Sequence, residues 1–279
     1  MKRLIQIELI KLQNSKASRV LIIVYFLLLT SISLIAAIKF DIGPVKFHLA
    51  EQGIFNFPKI WHINTYLAAG FKFFLLLVIV SMITNEYSNR TLKQNLIDGL
   101  SKKEFILSKF YLVLILAFIS TFFVFIVSLV LGYFYSDYNE IGIIFSDLEY
   151  LVAFFVKLVG FFSFGLFLGM LIKRSAFAVG AMLVWYFLEK IIHGLLEYEF
   201  HEKKSNIIAN SKQFLPLESM SNLIEQPFGR LKAIKTVASQ VGESITYDYG
   251  VHWYEIAIVL AWSTIFIYLS YRLLLKRDL

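Results

Sequence analysis

Residues 85–110 read NEYSNRTLKQNLIDGLSKKEFILSKF and separate two long apolar runs. The stretch carries five basic and three acidic residues. Leu92, Leu96 and Leu100 recur at four-residue spacing with Ile97 beside them, which draws one apolar stripe along a short helix. Arg90, Lys93, Gln94 and Asp98 surround that stripe. Gly99, directly after Asp98, is a helix stop, because glycine tolerates the left-handed cap. Ser101 then opens S-K-K-E, the pattern of a capping box in which the Ser101 hydroxyl meets the Glu104 amide and the Glu104 carboxylate reaches back. The spacing predicts a short amphipathic helix, a glycine break, and a second helix that begins at Ser101 and continues into the apolar run that follows.

The flanks decide the class. Of 279 residues, 58% are hydrophobic and only 17% are charged, against about 25% charged in a soluble domain. A helix crosses the hydrocarbon core in about 20 residues. Six runs meet that length, at residues 19–38, 66–84, 111–133, 151–172, 175–196 and 254–275. All four prolines (Pro44, Pro58, Pro216, Pro227) fall outside these runs, as helix breakers should. The first run is longer than a signal-peptide core and lacks a small-residue cleavage pattern, so it is expected to remain a span. The predicted fold is all-α, a six-span polytopic membrane domain over residues 1–279. A charged segment at 1–18, a loop at 85–110 and a long loop at 197–253 lie outside the bilayer.

Lysine and arginine placement orients the chain. Both termini, the 85–110 loop and the turn at Lys173-Arg174 are rich in these residues, whereas the loop around 136–150 has none. The positive-inside rule therefore puts both termini in the cytoplasm. Trp61, Tyr66, Tyr133, Tyr135, Tyr150, Trp253 and Tyr254 fall at the opposite span ends, where amphipathic rings favour the interface. The net charge of +7 is explained by topology, and no nucleic-acid fingerprint accompanies it. With no cysteine, disulfide frameworks, thiolate zinc sites and cysteine nucleophiles are excluded. No G-x-x-x-x-G-K-[ST] phosphate loop occurs, and no Ser/His/Asp set stands out, so the chain reads as a non-enzyme.

Four further features carry polar chemistry near the membrane. Lys72 and Lys157 sit within apolar runs, where a charge is costly and often serves a pathway, although a lysine stem can also snorkel outward. Glu189, His193, Glu197 and His201 follow at four-residue steps and would share one helical face. Such a face suits a divalent metal or a proton relay, or else is a solvated rim with Lys190 neutralising Glu189. Gly165 and Gly169 have the G-x-x-x-G spacing that lets helices approach closely, within one chain more readily than between two. The N-terminal segment alternates charged and apolar residues and reads as an interfacial helix or a basic anchor.

The 85–110 stretch resembles the first cytoplasmic loop of ABC transporter type 2 permeases. The resemblance rests on Glu86, Thr91-Leu92, Leu96, Gly99, Ser101-Lys102-Lys103 and Lys109, and the span layout matches along the whole chain. Arg90 departs from it, since the family commonly has glycine before the threonine, and the break lacks the family's frequent proline. The resemblance implies a coupling helix that docks on a separate ATP-binding subunit, with Glu86, Arg90, Thr91, Leu92, Leu96, Ile97 and Leu100 at the contact. Glu86 and Arg90 would brace it as an i,i+4 pair. ATP and magnesium would belong to that partner, with no cofactor in this chain. A second copy or a paralogous permease would complete an exporter in a bacterial inner membrane. The alternative from another class is a non-transporting, ABC-associated sensor, immunity or scaffold component.

Overall fold

Where the apolar runs contain no proline, helices form, and the breaks fall where the sequence offers a cap or a glycine. The computed structural model describes residues 2–37, 40–42, 45–47, 53–138, 140–199, 213–230 and 249–277. In chain order the elements begin with α1 (Lys2–Asn14), α2 (Lys16–Ala37) and a two-stranded antiparallel hairpin, β1 (Phe40–Ile42) and β2 (Val45–Phe47). There follow α3 (Lys59–Gly70), α4 (Lys72–Ser88), α5 (Thr91–Ile97), α6 (Lys102–Tyr135) and α7 (Ile141–Ile144). The chain continues with α8 (Glu149–Ile172), α9 (Ser175–Glu199), α10 (Pro216–Asn222), a 3₁₀ turn (Pro227–Arg230) and α11 (Trp253–Leu275).

Four helices (α6, a run ending in α8, α9 and α11) are long and apolar enough to cross a membrane. Two bent pairs bring the number of passes to as many as six. In the first pair, α1 turns 87° from α2. Ser15 forms the corner: the Ser18 amide donates to its Oγ at 3.3 Å, an N-cap for α2. In the second pair, α3 and α4 meet at 45°. The expected continuous span at 66–84 is therefore broken at Gly70–Phe71. Gly70 is a weak helix former, and the Phe71 amide closes a tight turn onto the Ala68 carbonyl at 3.1 Å.

Helix α8 is the centre. It is apolar all round, and 83% of its most apolar stretch is buried, against 17% for α9. A helix without a polar face belongs inside, and α4, α6, α9 and α11 pack around it. Gly165 makes the α4–α8 approach possible: a Cβ there would lie 2.2 Å from Leu76 Cδ1. The G-x-x-x-G pair thus serves packing within the chain. The outward faces of α6, α9 and α11 are apolar (Phe122, Leu188 and Leu260 are exposed), which suits lipid.

Two expected interface aromatics are core residues instead. Trp61 and Tyr150 are buried, because each finds an internal acceptor. Trp61 Nε1 donates to the Ile144 carbonyl at 2.9 Å, and the Tyr150 hydroxyl donates to the Tyr249 carbonyl at 2.5 Å. Tyr133 and Trp253, in contrast, are exposed.

Both ends of the chain meet at one end of the bundle. The Arg277 guanidinium donates to the Met170 and Leu171 carbonyls, closing the end of α8, at 2.6 and 3.1 Å. Lys102 Nζ, at the start of α6, donates to the Arg277 carbonyl at 3.1 Å. Helix α1 reaches the same end through α4 and α6, as described next.

Candidate functional site

The loop between α4 and α6 is built from three local devices. The first is Arg90, which precedes α5 with φ 56°, in the left-handed region. This is where a glycine would be free of strain, and Arg90 makes the turn without one. The second is a Schellman motif at the end of α5: the Gly99 amide donates to the Leu96 carbonyl at 3.2 Å and the Leu100 amide to Asn95 at 3.0 Å. Gly99 itself has φ 96°. The third is the capping box. The Glu104 amide donates to Ser101 Oγ at 3.2 Å, and the Ser101 amide donates to Glu104 Oε2 at 2.9 Å. At about 1.5 Å per residue, the 34-residue α6 is roughly 50 Å long, well beyond the ~30 Å hydrocarbon core.

The leucine stripe faces inward. Leu92 is 2% exposed, and Leu96 and Leu100 are half-buried against the core. Ile97 is 69% exposed, and Arg90, Thr91, Lys93 and Gln94 share the open side. Of the expected docking set, Leu92, Leu96 and Leu100 thus lie against the chain's own bundle, the nearest surface on which a seven-residue helix can cover its apolar stripe. The free face is polar and basic with Ile97 as its one large apolar residue.

The expected Glu86–Arg90 brace is replaced by a buried ion cluster. Lys109 of α6 donates to both Glu8 oxygens, at 2.8 and 2.7 Å, and to Glu86 of α4. Lys11 donates to Glu86 at 2.9 Å and lies 3.7 Å from Glu8. Ser108 Oγ adds a hydrogen bond to Glu8 at 3.1 Å. Glu8, Glu86 and Lys109 are all buried. The two carboxylates and two ammoniums balance, so α1, α4 and α6 are tied together directly behind α5. Both lysines reach the same Glu86 oxygen, Oε1, and Arg90 is exposed to solvent. Sequence reading missed Glu8 and Lys11, although Glu8 is the lone acid among residues 1–40.

At the opposite end, Glu189 and Lys157 hold the short helix α10. The Glu189 carboxylate accepts from the Leu217 and Glu218 amides at 3.0 and 2.9 Å and from Trp185 Nε1 at 2.6 Å. It thereby caps the positive end of α10. Lys157 Nζ donates to the Ser221 carbonyl, in the last turn of α10, at 3.3 Å. Lys190 pairs with Glu218 at 2.9 Å rather than neutralising Glu189. His193 is half-buried on α9. The Glu197 side chain and His201 lie outside the described residues, and among those described no three His, Asp or Glu side chains form a metal site.

Beneath α10 lies a cavity of about 930 Å³ between the α3–α4 bend, α8 and α9. Lys72, Lys157 and Lys190 line it together with Phe73, Phe161 and Tyr186. Lys72 Nζ stands 4.5 Å from the centre of the Phe161 ring.

The profile of a family described as ABC-2 family transporter protein matches residues 12–279. The chain belongs to this family. As an ABC-2 family protein it is a multi-pass membrane component of an ABC transporter, of a kind that associates with an ATP-binding subunit. No curated protein matches the chain.

Proposed function

We propose that this chain is the membrane-spanning permease subunit of a bacterial inner-membrane exporter. A separate ATP-binding subunit drives it, and a second permease copy or paralogue completes it. The partner binds ATP and magnesium and docks on the open face of α5. The observation that carries this reading is the mounting of α5: its stripe is sunk in the bundle, it packs on α4, and α4 is tied to α1 and α6 by the Glu8–Lys109–Glu86 cluster. A load on α5 therefore passes to the spans rather than being absorbed by a loose loop. The basic open face around Ile97 suits a groove with an acidic rim. The 930 Å³ cavity between α4, α8 and α9 favours transport over a scaffold role.

The test is co-purification from native membranes through a tag on this chain. An ATP-binding-cassette protein is expected to come with it, and Ile97→Asp together with Lys93→Glu is expected to weaken that association by roughly tenfold or more. Thermal stability of the doubly substituted chain should match the parent, because both positions are exposed. Recovery of the chain alone, or full retention of the partner by the substituted chain, overturns the docking reading.

A further inference from the structure

Two lysines of the cavity have hydrogen-bond donors and little to spend them on. Lys157 is 4% exposed and makes one hydrogen bond, to the Ser221 carbonyl at 3.3 Å. An ammonium has three donors. Lys72 has no hydrogen-bond or ion-pair partner among the described residues, and its ammonium rests over Phe161. Phe161 is one turn along α8 from Lys157, so the two lysines line the same part of the cavity. The cavity's carboxylates are on its roof: Glu218 is taken by Lys190, and Glu225 sits on the segment after α10, at an exposed position. None of this neutralises the inner pair. Unpaired charge inside a membrane protein is costly and is normally met by a counter-charge. The remaining wall is apolar and aromatic, with Phe73, Met182, Leu183 and Phe187. Its volume falls within the range of about 300–1,000 Å³ usual for small-molecule sites.

We propose that this cavity binds an anionic amphiphile, its carboxylate or phosphate headgroup between Lys72 and Lys157 and its apolar body along α4 and α9. The assignment deepens the permease reading by giving the class of substrate, and it rests on that reading only for the claim that the bound molecule is exported. The headgroup would take donors of Lys157 that the Ser221 carbonyl leaves unused.

The test uses the purified full-length chain in neutral detergent, with no ATP-binding partner. Three probes share a twelve-carbon tail and differ in head: dodecyl phosphate, dodecyl maltoside-free neutral dodecanol in mixed micelles, and dodecyltrimethylammonium; inorganic phosphate is the fourth probe. Dodecyl phosphate is expected to displace a dansylated fatty acid roughly tenfold or more better than the neutral and cationic probes, the step of a charge-assisted contact, and inorganic phosphate is expected not to displace it. Lys157→Met should remove that headgroup preference and Lys157→Arg should keep it. Equal displacement by all three heads on the parent chain, a comparison that needs no variant, overturns the proposal. So does an unchanged preference in both Lys157→Met and Lys72→Met. Lipid extraction from the purified chain separates sources. An anionic bilayer lipid retained by the parent and lost from Lys157→Met makes the ligand a lipid, and binding without such a lipid makes it a soluble amphiphile; both support the site. Headgroup-selective binding by a chain that recruits no ATP-binding subunit would uphold the site and remove the permease reading, whereas partner recruitment without selective binding does the reverse.

Discussion

Replacing Lys109 by methionine removes the ammonium at the centre of the α1–α4–α6 cluster while keeping a side chain of similar length. In the parent chain that ammonium contacts both oxygens of Glu8 and one of Glu86, and it is 1% exposed. After the change, two buried carboxylates share Lys11, which is itself part-exposed and stands 3.7 Å from Glu8. One negative charge is left uncompensated in a poorly solvated place. Breaking a buried pair by removing one partner typically costs about 3–5 kcal/mol, which for a chain of this size corresponds to a fall in Tm on the order of 10 °C. Glu8→Gln in the same chain restores neutrality, so the double variant should recover on the order of 1–3 kcal/mol relative to the sum of the single changes. The assay is thermal unfolding in detergent, followed by helical circular dichroism, for the two single variants and the double. A Lys109→Met chain that melts within about 2 °C of the parent, or single effects that simply add, would refute the claim that this cluster is one electrostatic unit.

Three other outcomes are expected. Arg90→Gly should stabilise the loop by about 1 kcal/mol, because a left-handed conformation costs a non-glycine residue roughly 1–2 kcal/mol; a lower Tm than the parent would mean that the Arg90 side chain makes a contact worth more than the strain. Glu189→Ala strips two amide caps and the Trp185 contact from α9 and α10, a loss of about 1–3 kcal/mol. Amide exchange at Leu217 and Glu218 should rise, and unchanged protection there would remove Glu189 from the role of cap. Leu92→Asp should destabilise the whole bundle end, by roughly 2–5 kcal/mol as for a lost core side chain, while Ile97→Asp should leave Tm unaltered; similar melting of both variants would show that the assignment of α5's two faces is wrong.

What could be read in the sequence was what is local along the chain. The Ser101–Glu104 box spans three residues, and the Gly99 stop is adjacent to the helix it ends, so chemistry and spacing sufficed. The leucine stripe announced an amphipathic helix, but not which surface would cover it; that depends on α4 and the core, which no spacing within 91–100 encodes. The break at Gly70–Phe71 was missed because glycine inside an apolar run is as often tolerated as used. Lys157 was legible as an intramembrane charge, yet its acceptor, Ser221, is 64 residues away. Glu8 and Lys109 are separated by 101 residues, and a single sequence holds no record of that pairing.

The missing side chain at Gly165 has a mechanical consequence. With Leu76 filling the space a Cβ would take, and Val80 resting at Gly169 with its Cγ1 3.6 Å from a would-be Cβ, α4 and α8 have no slack between them. They are expected to move as one stiff lever whose end at Ser88 precedes α5. Opening the cavity must then come from the other wall, α9, the least buried of the long helices. Because the chain has no cysteine of its own, Val80→Cys with Gly169→Cys gives a lone crosslinkable pair. Locking the lever to itself should cost the transporter nothing, and a crosslinked chain that stalls would show that the stroke runs between α4 and α8 after all.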